Sequence, residues 1–265
     1  MKQRVITAVL AGLVALLAIA APTPLPLIAL AAAALVLGMK ELAVLLREQF
    51  AYVLLFGIAA AAPLAARQSN EITAGALAGW SMVGMLAIWI VSNGNRRPWP
   101  LTGWWLTAGL TSAAWLHHST VSDTWATSAI LLTLLPLWVG DSIAYFVGKS
   151  LGKHLIAPKV SPKKTWEGAI GGFLGCLGAA CLIATFMKLP IAAGIAVGVI
   201  TGIGGLLGDL LESRLKRSAD LKDSGDILPG HGGILDRLDS FLATSPLSAL
   251  AVVLLAPDMF HVKPF

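Results

Sequence analysis

The chain has 265 residues, of which 57% are hydrophobic and only 12% charged, with a mean hydropathy of +0.79. An ordinary soluble domain is about 25% charged, so the composition excludes a soluble globular protein and selects a membrane one. The net charge of +5 needs no nucleic-acid partner, because a cytoplasmic excess of Lys and Arg facing anionic headgroups accounts for it.

A helix crosses the hydrocarbon core with about 20 mostly apolar residues. On that measure the sequence predicts an all-α, polytopic helical bundle of nine spans, near 5–21, 25–46, 51–66, 74–92, 104–117, 126–147, 168–187, 191–211 and 240–256. It forms one membrane domain, 1–265, with N-terminal membrane helices over 1–120 and a polar, chemically richer half over 121–265. The first run could also be read as a signal peptide, since Lys2 and Arg4 precede an apolar stretch ending in Ala20 and Ala21. The fifth span is short, is bracketed by Trp99, Trp104 and Trp105 and by His117 and His118, and could be re-entrant.

With the N-terminus inside, 16 of the 19 basic residues fall on the cytoplasmic side, leaving Arg67, Lys188 and Lys263 outside. Cytoplasmic loops are then expected at 148–168 and 212–239. Glycines in the later spans, among them Gly171, Gly172, Gly175, Gly178, Gly198 and Gly202, predict close helix contacts. Cys176 and Cys181 lie five apart in one apolar span, form no CxxC pair and read as reduced packing residues.

Asp141 follows an uncharged run from Thr127 to Gly140. A lone carboxylate inside a membrane marks a functional site by default, although pairing with Lys149 or Lys153 at the membrane edge would also accommodate it. Next comes a lysine-rich segment, in which "SPKKTWEG" places Ser161 and Thr165 around Lys163 and Lys164. Thr165 can cap a helix starting at Trp166, so that the helix N-terminus faces a phosphate; contact with anionic lipid would satisfy Lys149, Lys153 and Lys159 equally well.

Seven of the fourteen acids fall within 209–239. At 3.6 residues per turn Asp209, Glu212, Ser213 and Lys216 share one helix face, where Glu212 and Lys216 could be an ordinary i,i+4 pair. Asp209 ends a run without charge and is the stronger candidate of the two acids. Pro229 with Gly230, Gly232 and Gly233 makes a turn whose backbone can approach a phosphate. Asp236 and Asp239 follow one turn apart on the next helix, and carboxylates so spaced can share a hard cation with phosphate oxygens. Helix capping explains either acid singly, but not both together with His231 and Arg237. The order of residues in "GKSLGK" is not that of a P-loop.

The unbroken stretch "SRLKRSADLKDSGDILPGHGGILDRLD", Ser213 to Asp239, resembles the signature of the phosphatidate cytidylyltransferase family, the CDP-diacylglycerol synthases. "SPKKTWEG" and the run Asp141, Ala144, Tyr145, Gly148, Lys149, Gly152, Lys153 are similar to that family too, so the resemblance covers roughly 141–240. It implies attack of the phosphate of phosphatidate on the α-phosphorus of CTP, giving CDP-diacylglycerol and pyrophosphate with Mg²⁺ required and the number of metal ions open. It implies an integral protein of the bacterial inner membrane, a homodimer, with the site facing the cytoplasm and the product feeding phospholipid biosynthesis.

Carried onto this sequence, the resemblance makes Asp223 and Asp236 the leading metal ligands, supported by Asp209, Asp141 and Asp239. Lys222 and Arg237 join Asp223 and Asp236 as catalytic candidates. Ser161, Lys163, Lys164, Thr165, Ser213, Lys216, Arg217, His231, Gly232 and Gly233 are expected at substrate. A phosphate monoester is already nucleophilic near neutral pH, so His231 is expected to bind phosphate or pack the turn, not to act as base. The rival readings are a CTP-dependent lipid kinase, which would transfer the γ-phosphate, and a transporter, for which acids would be scattered near mid-membrane.

Overall fold

A computed structural model describes residues 2–23, 25–46, 99–119, 128–228 and 232–259. Among the described residues the chain forms α1 (Lys2–Ala20), α2 (Leu25–Leu46), α3 (Trp99–Ser119) and α4 (Leu131–Leu151). A hairpin follows, of β1 (Leu155–Ala157) and β2 (Ser161–Thr165), and then α5 (Trp166–Phe186). The last long helices are α6 (Ile191–Ser218) and α7 (Leu235–Leu255), followed by a 3₁₀ turn at Pro257–Met259. The expected spans 51–66 and 74–92 lie outside the described residues.

Among the described residues five helices, α2, α4, α5, α6 and α7, are long and apolar enough to cross a membrane. The weak fifth span is a continuous helix of 21 residues, and neither it nor α1 is among those five. The stretches expected as loops are shorter than their polarity suggested. Over 148–168, α4 runs on to Leu151, the antiparallel hairpin pairs Leu155 with Thr165 and Ala157 with Ser161, and α5 starts at Trp166. Over 212–239, α6 continues through Ser218 and α7 begins at Leu235. Both helix ends project their last turns of charge beyond the apolar span, which hydropathy alone cuts short.

Two apolar cores lie between the helices. One joins Ile19 of α1, Leu27 of α2, Leu116 of α3, Leu132 of α4 and Val252 of α7. The other joins Met39 and Leu42 of α2, Trp105 and Leu106 of α3, Leu211 and Leu215 of α6, and Leu235 and Leu242 of α7. The second core backs directly onto the polar site, because it contains the end of α6 and the start of α7.

The helices around the site are held close by small residues. A Cβ on Gly168 of α5 would lie 2.9 Å from the carbonyl oxygen of Ala144 on α4, and one on Gly198 of α6 would lie 2.7 Å from the Cα of Leu177 on α5. Gly178 departs from that expectation and faces open space. Both cysteines are free thiols, and the buried Cys176 donates to the carbonyl of Pro136 at 3.3 Å.

α6 is not uniformly α-helical, since Ile200–Gly204 is π-helical. Such turns widen the backbone and often sit at functional sites. Here the turn is steadied by buried Thr201, whose hydroxyl donates to Val197 at 2.8 Å, and it leads straight into the acid-bearing part of the helix.

Candidate active site

A cavity of about 600 Å³ opens where α4, α5, α6 and the hairpin meet. Asp141 of α4, Lys163, Lys164 and Thr165 of β2, and Asp209 of α6 line it, with Thr201 and Gly202 of the π turn at its back and Ser240 of α7 beside them. Leu137, Ala144 and Phe173 line it too, so its wall combines apolar and charged residues.

The two strands of the hairpin place the lysines. β2 ends at Thr165, whose side chain accepts from the N–H of Gly168 at 3.2 Å and so caps α5, as its position before Trp166 predicted. Glu167 ties the hairpin down by accepting from His154 Nδ1 at 2.6 Å and from the N–H of Lys153 at 3.1 Å. Lys164 then reaches across the cavity, with Nζ 2.5 Å from a carboxylate oxygen of Asp209. Ser213, one turn along α6, donates to the other oxygen of Asp209 at 3.3 Å. Asp141 and Asp239 lie within electrostatic reach of Asp209 and of Lys164, which makes an acidic patch balanced by lysine.

Asp239 is buried, and its carboxylate accepts from the N–H of Ser240 at 2.7 Å. It sits one helical turn after Asp236, and so joins the cavity to a second polar cluster built by the loop between α6 and α7. There Lys216 is buried between Glu212, to which it is ion-paired, and Asp236 Oδ1 at 2.5 Å. Asp236 Oδ2 accepts from the N–H of Ser224 at 2.9 Å, the hydroxyl of Ser224 at 2.9 Å and the N–H of Gly233 at 2.8 Å. Gly232 has φ of +81°, a left-handed backbone that glycine adopts freely. Any side chain there would meet Asp236 and, at 3.4 Å, the Cβ of Asp223, so the loop brings these two acids close to one glycine.

Lys163, Lys164, Thr165, Asp141 and Asp209 therefore share the cavity, and Lys216, Gly232, Gly233, Asp223 and Asp236 share the loop cluster. Ser161 is half-buried at the start of β2 and is not among the cavity-lining residues. Arg217 is engaged with protein, donating to the carbonyls of Leu221 at 2.9 Å and Val160 at 3.4 Å, and so ties the end of α6 to the hairpin turn. Lys222 and Arg237 are exposed, and His231 lies outside the described residues.

The order of burial on α6 reverses the sequence expectation. Glu212 is 1% exposed, whereas the side chain of Asp209 is 38% exposed, into the cavity. Depth in an apolar run said which acid was isolated, but not which one faces a cavity.

Two participants have no counterpart in the sequence reading. Ser224 bridges two carboxylates, Asp236 and Glu41. Glu41 comes from α2, where it is the single acid and stands next to Lys40. The isolated-acid criterion that flagged Asp141 does not select Glu41, because Lys40 stands beside it.

Among the described residues no three His, Cys, Asp or Glu side chains converge tightly enough to form a ready-made metal cluster. The donor set nonetheless suits a hard cation. Mg²⁺ takes one or two carboxylates and completes its shell with water and phosphate oxygens, and the acids at the cavity already attract a cation, the Lys164 ammonium.

A family model described as the cytidylyltransferase family matches residues 2–255. The chain is similar to the phosphatidate cytidylyltransferase of Bacillus subtilis, 48% identical over 126 residues covering 47% of each chain. It is similar to that of Synechocystis sp., 41% identical over 163 residues, 60% of this chain and 52% of the relative. With that of Brucella abortus it is 36% identical over 183 residues, 68% of this chain and 67% of the relative. The aligned part thus spans about half the length of the first two relatives. A match over nearly the whole length places the chain in the cytidylyltransferase family.

Proposed function

We propose that this chain is a phosphatidate cytidylyltransferase: the phosphate of phosphatidate attacks the α-phosphorus of CTP, a new P–O bond forms, the bond to the β-phosphate oxygen breaks, and CDP-diacylglycerol and pyrophosphate leave. The observation that carries this reading is the cavity lined by Lys163, Lys164, Asp141 and Asp209 together with an apolar wall of Leu137, Ala144 and Phe173, with Lys164 paired to Asp209. Cationic side chains and acids together suit an anionic nucleotide brought in with a cation, and the apolar wall suits a lipid. Transfer of this kind depends on positioning and charge stabilisation more than on covalent help from the protein.

Lys163 and Lys164 would neutralise phosphate oxygens and orient CTP against the lipid phosphate. On substrate entry Lys164 exchanges its carboxylate partner for phosphate, which leaves Asp209 open to a cation. Asp141, Asp209 and Asp239 would hold Mg²⁺. We place them ahead of Asp236, whose carboxylate is filled by Lys216, Ser224 and Gly233, and of Asp223 beside it. When bound, the metal supplies charge neutralisation on the phosphates undergoing transfer. Asp236, Lys216 and Ser224 hold the loop, Gly232 and Gly233 offer backbone to phosphate, and Lys222, Arg237 and His231 complete the approach.

The proposed partners are CTP, phosphatidate in the bilayer and a second copy of the chain, in a bacterial inner membrane of nine spans with the site on the cytoplasmic side. Exposed Phe146, Ile170, Leu174, Leu182 and Phe186 give α4 and α5 an apolar outer face for lipid or for that copy. Purified protein in micelles tests the reaction directly. Pyrophosphate release should require CTP and phosphatidate together; release of CDP would indicate a kinase, and turnover of neither would remove the proposal.

A further inference from the structure

We propose that Glu41 of α2 is a positioning residue for this site, holding the loop between α6 and α7 in its working arrangement; the inference rests on the reaction proposed above. Glu41 is 4% exposed, and a buried carboxylate is costly unless hydrogen-bonded. Three donors meet it: the N–H of Ile234 at 2.8 Å, the N–H of Leu235 at 2.9 Å and the hydroxyl of Ser224 at 3.0 Å.

The first two are the leading amides of α7. The first amides of a helix have no partner within it, and a polar side chain just before the first turn usually takes one a residue or two further in. That place is taken by Ile234, which has no side-chain acceptor, so the cap comes from α2 instead. The third donor, Ser224, is shared with Asp236, whose other oxygen holds Lys216. A local cap at position 234 would satisfy α7 alone. Only a carboxylate reaching in from α2 fixes Ser224 and α7 together, and with them Asp236 and Asp239 against Lys216 and Asp209.

The loop is shaped around this group. A Cβ on Gly225 would lie 2.9 Å from Glu41 Oε1 and 3.1 Å from its carboxyl carbon. One on Gly233 would collide with the carboxyl of Glu41 and the hydroxyl of Ser224. Two glycines of the loop thus leave the space that Glu41 fills, and through this side chain α2 enters the site.

The test compares the full-length protein with E41Q and S224A in micelles, by steady-state kinetics and by amide hydrogen exchange at the first turn of α7. E41Q keeps the size but weakens acceptance. It should lower kcat at least tenfold, leave KM for CTP and for phosphatidate within threefold, and speed exchange at Ile234 and Leu235 about tenfold while α5 is unchanged. S224A removes the shared hydroxyl but keeps the cap. It should lower kcat with the same KM pattern and leave that exchange as in the parent.

Parental kcat in E41Q overturns the inference, as does a loss no larger than the fall in folded protein. If E41Q fails to fold, S224A decides: unaltered kcat counts against the proposal, and a selective kcat loss supports it. If the parent itself transfers nothing, the proposed reaction fails, and faster or unchanged exchange in E41Q still decides whether Glu41 holds α7.

Discussion

Lys164 Nζ lies 2.5 Å from a carboxylate oxygen of Asp209, joining the hairpin to α6 across the cavity. The two residues are charge partners across the cavity and, in the proposed reaction, partners of phosphate and metal. Asp209→Asn should therefore lower kcat by about a hundredfold or more, the scale seen when one electrostatic contact to a transition state is removed. Lys164→Met should raise KM for CTP about tenfold as well as lower kcat. Pyrophosphate release measured against CTP concentration separates the two effects.

The pair of Lys216 with Glu212 and Asp236 is buried more deeply, with side-chain exposures of 11%, 2% and 5%. Lys216→Met would leave two carboxylates without their cation. Breaking a buried ion pair from one side costs about 3–5 kcal/mol, so the variant should lose much of its thermal stability in detergent, measured by loss of folded protein on heating. Stability equal to the parent would mean that the acids find other partners.

Thr165 caps α5. Thr165→Ala should cost about 1 kcal/mol of stability and Thr165→Ser should restore most of it, the usual scale for an N-cap hydroxyl. Because Thr165 also lines the cavity next to Lys164, the alanine variant should lose activity beyond its loss of folded protein, as a comparison of activity per folded molecule will reveal.

Gly168 lies where α4 and α5 cross. A Cβ there meets backbone on α4, 2.9 Å from the oxygen of Ala144 and 3.1 Å from the Cα of Gly148, and backbone cannot swing aside. Gly168→Ala should cost about 1–3 kcal/mol, as overpacking does, and should lower kcat by separating Asp141 on α4 from the lysines on β2. Gly178→Ala, which meets open space, is the control and should stay within about 0.5 kcal/mol of the parent. Thermal unfolding of both variants in one detergent provides the comparison.

Chelation of divalent cations should abolish turnover, and added Mg²⁺ should restore it. Asp141→Asn and Asp239→Asn should each shift the Mg²⁺ concentration for half-maximal activity upward by about tenfold or more, because one hard oxygen ligand is removed. An unchanged Mg²⁺ dependence in both would assign the metal to other residues.

Much of the site was legible because its chemistry is odd for a membrane. Acids and lysines stand out against Ala and Leu, which is how Asp141, Asp209, Lys163, Lys164 and the Gly232 turn were found, and the cap at Thr165 followed from its place before Trp166. What sequence hid was geometry between distant segments. Glu41 lies 193 residues from Ile234, its hydrogen-bond partner, and no local pattern links them. Arg217, expected at substrate from the family resemblance, also donates to two carbonyls, contacts that no local pattern foretells. Helix ends were placed too early at Ser218 and too late at Leu235, because polarity signals where apolar surface stops and not where backbone hydrogen bonding does.

The measurement that bears most directly on the reaction is label transfer. Purified protein in micelles receives phosphatidate, Mg²⁺ and CTP labelled at the α-phosphate in one tube and at the γ-phosphate in another. Cytidylyl transfer requires α-label in the lipid fraction and γ-label in released pyrophosphate. Lipid labelled from the γ position alone would contradict it and make the protein a lipid kinase.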